Sequence, residues 1–174
     1  QLPQNLETKK IFFEELYIYL IEKNNLQQEL EKNKFTNISY FTKGHRGFLH
    51  KANFNKKKVM IKSNNPKSQA INRIQNETKW LKLLNKYNIG PKILKASDNF
   101  VAYEFIDGIF FPEFLEKSSK KDVLNIIEKL IKQLYTLDKL NTNKEEMHHP
   151  FKHILIKGKK PIMIDFERCH KTIK

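Results

Sequence analysis

The chain has 174 residues, a net charge of +14 and one cysteine, with 39% apolar residues. That length fits one domain or two small lobes sharing a hinge, and the single Cys169 excludes an intramolecular disulfide and a multi-cysteine zinc site. The most apolar N-terminal stretch, Ile11 to Ile21, is short and carries Glu14 and Glu15. It is neither a signal peptide nor a membrane span, so the expectation is a soluble cytoplasmic protein with no membrane partner.

Such a positive field favours anionic partners: nucleotides, acidic proteins, nucleic acid. The lysines are scattered, however, and a solvated surface explains them as well as a nucleic-acid stripe does. The densest runs, Lys56-Lys57-Lys58 and Lys157-Gly158-Lys159-Lys160, fall where hairpin turns are expected.

Residues 7–33 read as an amphipathic helix, with Phe12, Leu16, Tyr19, Leu20, Leu26 and Leu30 on one side. Residues 35–42 and 48–54 favour strands, separated by the loop Lys43-Gly44-His45-Arg46-Gly47. A turn at 55–57 leads into a third strand, 58–62. A helix follows over 67–86, with Pro66 near its start. Then come a loop and short strand at 89–95, a buried strand at 100–106 and a short helix at 112–117. A long helix spans 120–140, with Val123, Ile127, Leu130, Leu134 and Leu137 on its apolar face. Two short strands, 154–156 and 162–164, flank the last lysine-rich turn.

Three charged positions carry the chemistry. In helix 67–86 the apolar stripe is Ala70, Ile74, Leu81 and Leu84, and Glu77 falls on it. A carboxylate on a core-facing stripe needs a partner, unless it sits at the stripe edge and reaches water. Lys62 ends the third strand, 15 residues before Glu77, on the face opposite Val59 and Ile61. It can reach Glu77 or stand as one more surface lysine. Asp165 follows the apolar run Pro161-Ile162-Met163-Ile164. A carboxylate there suits a metal ion, a helix cap or solvent. Gly44 and Gly47 would let backbone amides approach an anion, and an ordinary hairpin also accounts for them.

Five segments in this order carry a resemblance: Lys43-Gly44-His45-Arg46-Gly47, Val59-Met60-Ile61-Lys62, Asn88-Ile89-Gly90-Pro91-Lys92, Tyr103-Glu104-Phe105-Ile106-Asp107-Gly108 and Ile164-Asp165-Phe166-Glu167-Arg168. Over residues 36–170 the chain resembles the protein-kinase-like superfamily. It looks most like small archaeal predicted serine/threonine kinases, and more distantly like RIO-type kinases and the kinase of the KEOPS tRNA-modification complex. The resemblance implies an α+β, two-lobe fold. Residues 1–34 would be a helical extension, 35–106 a β-rich lobe with one long helix, and 107–174 a reduced, mostly helical lobe.

The same resemblance implies ATP and Mg2+ as cofactors. Gly44 and Gly47 would cover the phosphates, Lys62 would hold them, and Glu77 would orient Lys62. Glu104, Phe105 and Ile106 would meet the adenine edge. Asp165 stands where the family binds magnesium, with Glu167 replacing a glycine. In the loop 145–153, His148 falls at the catalytic acid position and His153 at a second metal-ligand position. Glu146 or Glu145 could supply the missing carboxylate. A zinc site is disfavoured because Pro150 prevents helical pairing of His149 with His153. Only nine residues follow Asp165, hence the expectation of a reduced second lobe. The implied function is an atypical, minimal kinase that transfers the γ-phosphate to a Ser/Thr hydroxyl of a protein substrate or of itself. The alternatives are a nucleotide-binding pseudokinase and a basic nucleic-acid-binding protein on a kinase-like fold.

Overall fold

The computed structural model describes residues 23–43, 47–65 and 72–172. Phe12, Leu16, Tyr19, Leu20, Gly44 and Ala70 lie outside the described residues.

Residues 23–32 are helical (α1). The chain then forms a meander of β1 (Thr36–Lys43), β2 (Gly47–Phe54) and β3 (Lys57–Asn64). Asn55 and Lys56 both take positive φ, 49° and 62°, as a tight two-residue hairpin requires. After α2 (Arg73–Leu84) come β4 (Ile93–Ala96) and β5 (Phe100–Glu104). The five strands pair in the order β1-β2-β3-β5-β4.

The alternation along β3 decides what each face of the sheet meets. Val59 and Ile61 are fully buried in a cluster with Leu30, Phe35, Ala52, Phe100 and Ala102, under α1. Met60 and Lys62 point the other way, to the side where α2 packs. The described part of the N-terminal helix is therefore a packing element.

Beyond β5 the chain builds two small sheets around two helices. β6 (Ile109–Phe110), β8 (Ile154–Lys157) and β9 (Lys160–Met163) form one sheet, with β8 in the middle. β7 (Thr142–Lys144) pairs with β10 (Cys169–Lys171) in the other. α3 (Phe111–Lys117) is followed by α4 (Lys120–Lys139). Ser119 caps α4, its Oγ accepting from the Asp122 N–H at 3.2 Å. The helix expected over 67–86 is α2, ending in a tighter turn at Asn85–Tyr87. Trp80 joins Ile74, Leu81 and Leu84 in its buried face.

One position on the apolar face of α4 differs from expectation. Ile126, Leu130 and Leu137 are buried, and Val123 and Leu134 pack partly against the core. Ile127 instead points outward with Leu124, Ile131 and Tyr135. Among the described residues, no helix is long and apolar enough to cross a membrane.

Candidate nucleotide and metal site

Lys62 lies on β3 opposite Leu49 of β2 and Val101 of β5, which fixes its face. Its ammonium reaches Glu77 of α2 at 2.7 Å, Asp165 at 2.8 Å and Glu167 at 3.0 Å. Three segments far apart in sequence thus deliver one cation and three carboxylates to a common point. Glu77 and Glu167 are buried, while the Asp165 side chain keeps 31% of its surface. The open member of the cluster is the acid that follows β9.

Asp165 takes a left-handed backbone, φ 65°. Asp tolerates that region better than most residues, though at some conformational cost. The turn lets Ile164 donate its N–H to the His153 carbonyl at 2.9 Å while Phe166 drops into the core, fully buried. Two contacts from α2 clamp the segment after Phe166. The Asn76 side-chain amide donates to the carbonyls of Glu167 at 2.8 Å and Cys169 at 2.9 Å. Asn76 gives no warning in the sequence, because a single Asn on a helix carries no signal of its own. Its neighbour Glu77 does carry one, a charge on an apolar stripe.

The cluster shifts its members' ionisation. Burial alone would depress the Lys62 ammonium, but Glu77, Asp165 and Glu167 outweigh it and hold the group well above its usual range. Burial pushes the Glu77 carboxyl up; Lys62 opposes this, and Asp165 and Glu167 add to the rise. Burial also acts to raise Asp165, yet Lys62 at contact distance, with help from Lys144 and His153, brings it below the ordinary value. Tyr103 on β5 lies near the cluster, its phenol pushed up by burial and then by Glu77.

One carboxylate oxygen from each of Glu77, Asp165 and Glu167 falls within 4.8 Å of the others. An all-oxygen donor set of this kind suits a hard divalent cation such as Mg2+ or Mn2+. His153 stands next to it, Nδ1 3.8 Å from Asp165 Oδ2. Burial and then Lys144 keep its imidazole toward the neutral form, which is a softer donor than magnesium favours.

The other sequence candidates are distributed around this point. Gly47 opens β2, where a Cβ would come within 2.6 Å of the Ser63 carbonyl oxygen, so close strand pairing by itself requires glycine there. Glu104 and Phe105 donate their backbone N–H groups to the carbonyls of Lys92 (2.9 Å) and Lys58 (3.3 Å). Both amides are spent on neighbouring backbone carbonyls. A cavity of about 450 Å³ opens beside them, lined in part by Lys57, Lys58, Lys92 and Phe105. Glu146 is buried and turned toward Lys144 (3.6 Å) and Arg168 (4.0 Å), not toward Lys62. Glu145 pairs with Arg168 and, at 3.4 Å, with His170. His148 is exposed, and its Nδ1 faces the Glu145 carbonyl.

The fold is kinase-like. The chain superposes on the autoinhibited serine kinase domain of the giant muscle protein titin with a TM-score of 0.67 at 17% identity, over 80% of this chain and 47% of that one. A structure of titin kinase with its flanking domains gives a TM-score of 0.67 at 16% identity, over 81% of this chain and 28% of that one. The chain thus spans less than half the length of these solved structures. No family model matches the sequence, and no curated relative matches it.

Proposed function

We propose that this chain binds ATP with a divalent cation and acts as a minimal, atypical kinase, passing the γ-phosphate to a Ser/Thr hydroxyl of a protein or of itself. The observation that carries the reading is the meeting of Lys62, Glu77 and Asp165 within 2.8 Å contacts on a kinase-like fold. In this reading residues 35–106 form one lobe, 107–174 the other, and the nucleotide lies between them.

Each residue then has a task. Glu77 holds Lys62 extended from β3, and Lys62 neutralises phosphate oxygens. Asp165 and Glu167 would hold Mg2+, which when bound offsets charge on the phosphates. The Glu104 carbonyl and the Ile106 backbone would meet the adenine edge, since the amides of Glu104 and Phe105 are already committed. Gly44 and Gly47 would let the phosphates approach the backbone closely. In this reading His148, whose Nδ1 faces the Glu145 carbonyl, would use Nε2 to take the proton of the acceptor hydroxyl.

ATP turnover and autophosphorylation of the parent chain and of Lys62→Ala test this reading. Turnover that falls at least about 100-fold in the variant supports it; equal rates defeat it. A second reading, a nucleotide-binding pseudokinase, is favoured by the pairing of both loop carboxylates, Glu145 with Arg168 and His170, Glu146 with Lys144. A thermal shift with Mg–ATP and no turnover would select it.

A further inference from the structure

Lys144 is a buried cation that the proposed chemistry leaves unused. It ends β7, opposite Cys169 of β10, and its side chain keeps 1% of its surface. An ammonium withdrawn from water so completely needs strong compensation. Glu146 lies 3.6 Å away, and the Phe166 ring centroid lies 5.0 Å from Nζ. The shortest contact is neither of these. Nζ donates to the backbone carbonyl oxygen of Asp165 at 2.5 Å.

That carbonyl belongs to the residue with φ 65°. A left-handed non-glycine residue persists only where its surroundings over-determine it. Three contacts do so here: Lys144 on the Asp165 carbonyl, His153 on the preceding N–H, and Phe166 locked in the core. The ammonium is the only charged group of the three. Lys62 meets the Asp165 carboxylate and Lys144 its carbonyl, so the two lysines grip the residue at side chain and backbone respectively.

We propose that Lys144 is a positioning residue that locks the Asp165 peptide, and so aims the Asp165 carboxylate for cation binding, with Glu146 as its counter-charge. This inference rests on the reading of Asp165 as a cation ligand. It also gives Glu146 a task different from proton transfer: its carboxylate, 3.6 Å away, offsets part of the burial that works against the Lys144 charge.

The test uses the full chain with Mn2+ as probe, followed by electron paramagnetic resonance titration. Asp165→Asn examines the underlying reading alone. If the parent binds no Mn2+, or binds it as Asp165→Asn does, that reading fails and this inference goes with it. If the parent binds and Asp165→Asn does not, Lys144→Met and Lys144→Arg decide. The expectation is a loss of about 10- to 100-fold in Mn2+ affinity for Lys144→Met, with metal-free ATP affinity within about threefold of the parent, and partial recovery in Lys144→Arg. Unchanged Mn2+ affinity, or an equal fall in metal-free ATP binding, overturns the proposal. Should Lys144→Met not fold, the parent itself supplies the answer by NMR. A Lys144 ammonium signal in slow exchange, with scalar coupling across the hydrogen bond to the Asp165 carbonyl carbon, upholds the lock. A fast-exchanging, uncoupled ammonium refutes it.

Discussion

Nζ of Lys62 lies 3.0 Å from Oε2 of Glu167, an acid standing where the kinase resemblance calls for glycine. This contact makes Lys62 the shared counter-ion of three carboxylates rather than of one. Lys62→Met would leave Glu77, Asp165 and Glu167 facing one another within 4.8 Å. Removing one partner of a buried ion pair costs about 3–5 kcal/mol, because the other charge is left behind. A divalent cation can then take the place of the ammonium. The expected outcome is a destabilised variant whose unfolding temperature rises more with millimolar Mn2+ than that of the parent. Calorimetric melts with and without Mn2+ check this; equal shifts in both proteins would count against carboxylate convergence.

Gly90 sits at φ 79°, and a Cβ there would lie 2.8 Å from Leu81 Cδ2 and 2.9 Å from Phe166 Cε2. Two costs therefore coincide in Gly90→Ala: a left-handed backbone with a side chain, and overpacking against a fully buried ring. We expect a loss of about 2–4 kcal/mol in urea denaturation. Phe166 comes directly after Asp165, so cation binding should weaken along with stability. A variant as stable as the parent would show that the 89–91 loop does not press on Phe166.

Helix α4 offers a paired test of register. Ile126 is 1% exposed and Ile127 36% exposed, although the two are neighbours in sequence. Ile126→Ala should cost about 2–5 kcal/mol, whereas Ile127→Ala should cost less than about 1 kcal/mol. Comparable losses at the two positions would restore the face expected from sequence.

Those two isoleucines also show where sequence stops being legible. Helix α4 is readable as a helix because its apolar residues recur at helical spacing. Where the edge of the inward face falls, at Ile126 rather than Ile127, depends on β9 and the core beneath it, and Leu124, Ile127 and Ile131 are as apolar as the buried set. Glu77 is readable because a charge interrupts an apolar stripe, and Lys62 and Asp165 because each directly follows an apolar run. Lys144 is not, being one lysine among many on a strand of only three residues, Thr142–Lys144, with no alternation to reveal it. Its burial is created by pairing with β10 and by the Asp165 turn, both set by tertiary contacts. The kinase resemblance likewise assigns the backbone of Glu104 and Phe105 to a ligand, while the acceptors of their amides, Lys92 and Lys58, belong to other segments.

Cys169 supplies a pH-dependent expectation. It is buried, and burial pushes its thiol up to about 12, with Lys144 opposing and Glu146 adding to the rise. In the unfolded chain the thiol ionises near its ordinary value of about 8.5. Between these values the folded state keeps a proton that the unfolded state has lost, so stability must fall as pH rises. The loss approaches about 1.4 kcal/mol per pH unit well inside the window. Lys62, also raised, adds a similar decline only above its own unfolded value, near about 10.4. From pH 8 to pH 10 the parent should therefore lose about 2 kcal/mol more than Cys169→Ala. Urea denaturation of both proteins at the two pH values measures that difference. Native Cys169 should also resist iodoacetamide at pH 9 and react once unfolded. Parallel pH profiles, or rapid alkylation of the folded protein, would mean that the thiol is not held neutral in the core.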